Sequence, residues 1–123
     1  MQAAMDTEEL ALLMKALSSK TRLRILKLLR HHQLCAGGIA RGIGASASTA
    51  SQHLRVLRSA GLVADCRRGS HIHYSLVAER LRELEDAVGR LMPEGEPFEA
   101  CRRPAAECGE INPDDELRTD EGR

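Results

Sequence analysis

Residues Ser46 to Leu76 read SASTASQHLRVLRSAGLVADCRRGSHIHYSL, and this stretch decides the fold. Ala47, Ala50, Leu54 and Leu57 recur at the i, i+3, i+7, i+10 spacing of a helix that buries one stripe. The opposite side carries Ser48, Gln52, Arg55 and Ser59, with Thr49 and Ser51 at its edges. Those are short hydrogen-bonding groups and one long cation, a surface suited to a polar, anionic partner. Ala60-Gly61 stops the helix. A short strand, the basic turn Arg67-Arg68-Gly69-Ser70 and a return strand from Ile72 to Leu76 follow. Alternation along that strand puts Ile72, Tyr74 and Leu76 on the core and turns His71 and His73 outward.

Upstream, Asp6 and Thr7 cap a first helix whose first turn holds Glu8 and Glu9 and whose stripe is Leu10, Leu13, Met14 and Leu17. Ser18-Ser19 breaks it. A second helix from about Lys20 to Arg30 is apolar around most of its circumference (Leu23, Ile25, Leu26, Leu28, Leu29), which predicts a central position. A third, short helix spans about Leu34 to Arg41 and closes at Gly42-Ile43-Gly44; Ser46 caps the next. Two short helices joined this way form a helix-turn-helix, whose second member enters the major groove of DNA, or else an ordinary helical hairpin. The basic β-hairpin that follows favours the first. A last helix, about Val77 to Met92, sets Leu81, Leu84, Val88 and Leu91 in a narrow seam flanked by charge. Such a seam pairs with a second copy or packs on its own domain.

Of the 123 residues, 1–92 carry a net +6 and 93–123 a net −6, which cancel. We divide the chain there: 1–92 as a DNA-binding and dimerisation domain, 93–123 as an acidic, proline-containing tail with Cys101 and Cys108. A basic body suits an anionic partner. Two aromatic residues, Tyr74 and Phe98, are too few for a base-stacking platform, which argues against single-strand binding. No apolar run is long enough for a membrane span or signal peptide, so the expectation is a cytoplasmic protein with reduced thiols. Cys35, Cys66, Cys101 and Cys108 then read as ligands, sensors or core filler rather than structural disulfides.

In these residues the chain resembles the ArsR/SmtB family of bacterial winged helix-turn-helix repressors. The carrying segments are Leu17–Leu26 (LSSKTRLRIL), Gln33-Leu34-Cys35, Ile39-Ala40, Ile43-Gly44 and Thr49–Tyr74 (TASQHLRVLRSAGLVADCRRGSHIHY), within a match over roughly residues 10–92. The resemblance implies a mainly α fold with a small β-hairpin, α1-α2-α3-α4-β1-β2-α5, in homodimers joined through the terminal helices. It also implies binding to double-stranded operator DNA and release by a metal or metalloid. Ser48, Thr49, Ser51, Gln52 and His53 would then lie in the major groove, where Gln bonds an adenine edge at two points. Arg55, Arg67 and Arg68 would hold phosphates. His53, at the flank of the stripe, reads equally as a base contact or a packed side chain.

The arsenite and cadmium branch carries Leu-Cys-Val-Cys at the third helix; this chain has Leu34-Cys35-Ala36-Gly37, so that site is incomplete. The zinc or nickel branch uses Asp and His on the last helix, where this chain has Ala78, Arg80, Leu91 and Glu94. The expected effector site is therefore a trithiolate of Cys35, Cys101 and Cys108 holding arsenite (As(III)) or a related soft ion, with no ion required for folding. Cys66 is a substitute ligand or a small apolar filler. Alternatives stay open: a disulfide switch on the same fold, zinc held by His31, His32 and Cys35, or a winged helix that binds only protein. An enzyme with Cys35 as nucleophile finds no supporting phosphate loop or metalloprotease motif.

Overall fold

The structure is a computed structural model, and it describes residues 4–94. Five helices and three strands follow one another as α1 (Thr7–Leu17), α2 (Lys20–Leu29), β1 (Leu34–Cys35), α3 (Ala36–Ile43), α4 (Ala47–Ser59), β2 (Val63–Arg68), β3 (His71–Leu76) and α5 (Ala78–Gly89). This is the winged helix-turn-helix expected, with one strand more.

Local chemistry sets the boundaries. Asp6 accepts from the Glu9 amide at 2.7 Å to cap α1, Ser19 from the Arg22 amide at 3.2 Å to cap α2, and Ser46 from the Thr49 amide at 3.1 Å to cap α4. Each such cap is worth about 1 kcal/mol. At the end of α3, Gly44 takes φ 69°, and the Ala45 amide reaches back to the Ala40 carbonyl at 3.0 Å. That left-handed closure lets the chain turn into α4 within three residues.

The core joins all the helices to the sheet. Leu13, Ile25, Ile39, Leu54, Leu57 and Leu62 are its fully buried large side chains. Leu34, Tyr74 and Leu76 pack against it from the sheet, whose order is β1-β3-β2, antiparallel throughout.

Five expectations need adjustment. Ala47, expected on the buried stripe of α4, is exposed in its first turn. The third helix starts at Ala36, not Leu34, because Leu34 and Cys35 pair with Tyr74 and His73 as β1. His73 is therefore on a central strand: it is half-buried, and its Nδ1 is shut off from solvent with no hydrogen-bond partner among the described residues. Ile72, predicted on the core, is 46% exposed because it sits out on the wing, past the reach of the helices. The last helix ends at Gly89, and 3.0–3.1 Å bonds from Leu91 to Val88 and from Met92 to Gly89 make tighter turns beyond it. Leu91 and Met92 are largely exposed there.

Candidate nucleic-acid interface

The α3–turn–α4 unit presents one face of α4 to solvent. Ser48, Ser51, Gln52, Arg55 and Ser59 are exposed on it, while Ala50, Leu54 and Leu57 anchor the opposite side in the core. Thr49 and His53 lie between. The Thr49 hydroxyl accepts from the Ser46 hydroxyl at 3.0 Å, so it belongs to the cap. Half-buried His53 has its Nδ1 3.3 Å from an Nη of Arg22, on α2. Of the two readings open for His53, the structure favours the packed one.

Arg22 explains that geometry. Its guanidinium also donates to the carbonyls of Lys15 and Ala16 at the end of α1, where a cation complements the helix dipole. It links the first helix to the fourth. Nothing in the spacing of Arg22 distinguishes it from the cations around it, Lys20, Arg24 and Lys27.

The wing continues the surface. Arg67 and Arg68 are exposed at the end of β2, and Gly69 turns the chain at φ 61°. Arg58 at the end of α4 reaches Asp65 on β2 at 3.1 Å, tying the wing to the recognition helix. Both groups are well exposed, so this contact contributes at most about 1 kcal/mol.

Charge is sorted across the fold. Between Glu9 and Asp65 there are nine lysines and arginines and no carboxylate. The ion pairs among the described residues involve only Arg58 and Arg80. Arg55, Arg67 and Arg68 have no carboxylate partner there, so their field is directed outward, as phosphate contacts require.

The two thiols among the described residues stand apart. Cys35 is half-buried and caps α3, its Sγ accepting from the Gly38 amide at 3.4 Å. Cys66 is exposed on β2. Both face the same side of the sheet, because each is the register partner of His73. Two strand spacings of about 4.8 Å separate them by about 10 Å, beyond the ~7 Å between Cα atoms that a disulfide spans. No three His, Cys, Asp or Glu side chains among the described residues converge as metal ligands, so the set His31, His32 and Cys35 is not assembled. Cys101 and Cys108 lie outside the described residues.

This geometry has known counterparts. The model of bacterial regulatory proteins of the arsR family matches residues 19–65. The transcriptional repressor SdpR of Bacillus subtilis is 41% identical over 78 residues, 63% of this chain and 83% of that protein. The chain belongs to the ArsR family. A second relative, the cadmium resistance transcriptional regulatory protein CadC homolog of Staphylococcus aureus, is 35% identical, with coverage of 67% of this chain and 69% of that protein. Among solved structures, the homodimeric winged helix-turn-helix DNA-binding domain of Mb0332 from Mycobacterium bovis superposes with a TM-score of 0.59 at 33% identity. That match covers 68% of this chain and 78% of the other. This ArsR-family chain is thus a DNA-binding transcriptional regulator and not an enzyme. Among the described residues no helix is long and apolar enough to cross a membrane.

Proposed function

We propose that the protein is a metal(loid)-responsive repressor of the bacterial cytoplasm that binds operator DNA as a homodimer and leaves it when arsenite or a similar thiophilic ion binds. The observation that carries the DNA half is the face of α4 and the wing: Ser48, Ser51, Gln52, Arg55, Arg67 and Arg68 together, exposed and, among the described residues, without carboxylate partners. Gln52 is the base reader of this set, Ser48 and Ser51 its neighbours in the groove, and the arginines hold phosphates. Thr49 and His53, engaged with Ser46 and Arg22, position the helix. The second copy docks on α1 and the end of α5, where Leu12, Met14, Val88, Leu91 and Met92 are exposed.

For the effector, the described residues supply one suitably placed thiol. Cys35 is where β1 becomes α3, directly before the helix-turn-helix. Cys101 and Cys108 would complete a trithiolate of the kind that suits a soft ion. Support comes from a relative named for cadmium resistance. A bound ion would tie the tail to the start of α3 and alter the spacing of the two recognition helices, which must match about 34 Å on DNA.

The test is a gel shift on the duplex upstream of the protein's own gene, with arsenite, cadmium, zinc or peroxide added. Arsenite or cadmium is expected to weaken binding about 5- to 150-fold. Cys35→Ser and the Cys101→Ser/Cys108→Ser double variant should bind DNA normally and ignore the ion. A double variant that responds as wild type does removes the proposed site. Release by peroxide alone replaces it with a redox switch.

A further inference from the structure

Arg80, in the first turn of α5, engages a different partner with each of its three nitrogens. Its Nη2 lies 2.7 Å from Glu9 on α1, and its Nη1 2.8 Å from Glu83 one turn along α5. Its Nε donates to the carbonyl of Ala60, the C-cap residue of α4, at 3.2 Å. The side chain is 23% exposed. The hydrogen bond to Glu83, then that to Glu9, raises its pKa, so it is charged at every working pH.

The backbone beneath is shaped for it. Gly61 follows at φ 77°, and a Cβ there would stand 3.3 Å from Nε and 3.7 Å from Cγ and Cδ of Arg80. One residue on, the Leu62 carbonyl accepts from the Val77 amide at 2.9 Å, so the start of α5 holds the exit of α4 by two bonds. A guanidinium suits this position because its fixed fork sends three donors in three directions; an ammonium has no such geometry. The cation also stands at the negative end of α4.

Three elements thus meet in one side chain: α1 and α5, whose outer faces carry Leu12, Met14 and Val88, and the end of the recognition helix. We propose that Arg80 is a positioning residue for DNA binding, fixing the tilt of α4 relative to the α1–α5 pair and thereby the spacing of two recognition helices. The inference rests on the reading of the chain as a dimer on duplex DNA. It assigns Arg80 no contact with DNA, and that separates it from the cations of the α4–wing face.

The experiment uses full-length Arg80→Lys, Glu9→Gln and the pair combined, with the upstream duplex as probe. Affinity is measured across salt concentrations, alongside melting temperature and sedimentation. Arg80→Lys keeps a cation between Glu9 and Glu83 and should remain a folded dimer. Its affinity should fall about tenfold, within the usual range of such couplings, with the slope of log affinity against log salt unchanged, since no phosphate contact is lost. Glu9→Gln should give a smaller loss, and the combined variant should bind no worse than Arg80→Lys alone. Wild-type affinity in Arg80→Lys, a loss that merely tracks dimer dissociation, or a shallower salt slope would each overturn the proposal. A wild-type protein without salt-dependent duplex affinity would instead overturn the DNA reading beneath it.

Discussion

The α4–wing face and the α1–α5 seam use the same side chain in opposite ways. On the first, Arg55, Arg67 and Arg68 are exposed and have no carboxylate among the described residues. At the second, Arg80 is mostly covered and shared between Glu9, Glu83 and the Ala60 carbonyl. An unpaired exposed cation adds little to folding and keeps its field for a partner. A paired, partly buried one has its field consumed inside the domain and holds elements in place. The contrast teaches that basic character in this chain is not one property: position on the fold decides whether an arginine serves the partner or the frame.

Three variants break or sharpen that contrast. The largest effect on stability is expected from Arg80→Ala, which strands the Ala60 carbonyl and leaves Glu9 and Glu83 without their shared cation. Urea denaturation should show a loss of about 1–3 kcal/mol. Next comes Arg67→Ala with Arg68→Ala, at which the stability should stay within about 0.5 kcal/mol. The salt slope of duplex binding should become shallower by about 3.6, since each protomer of the dimer loses two phosphate contacts at roughly 0.9 each. If that pair unfolds the protein while Arg80→Ala leaves it intact, the division of labour is the reverse of the one drawn. Last comes Arg58→Ala, which frees the wing from α4 and should cost at most about 1 kcal/mol in the same urea experiment, with the salt slope of duplex binding unchanged.

Much of this was legible in the residues themselves. The buried side of α4 was announced by Ala50, Leu54 and Leu57, its cap by Ser46, and the turn before it by Gly44, because each of these signals is local. Strand β1 was not, since two residues, Leu34 and Cys35, have no periodicity to read. The inward setting of His53 and the reach of Arg22 and Arg80 were also hidden. A long side chain's partners depend on which helices come to lie beside it, and no spacing along one helix encodes that. The helix α5 ends earlier than the apolar pattern of Val88 and Leu91 predicts, because the low helix propensity of Gly89 ends the regular turns.

Cys35 is the closing residue of a strand and the opening cap of a helix. Its sulfur accepts from the Gly38 amide while its backbone stands in register with His73. The edge of the sheet and the start of the helix-turn-helix therefore share one residue, with no loop between them to absorb a shift of either.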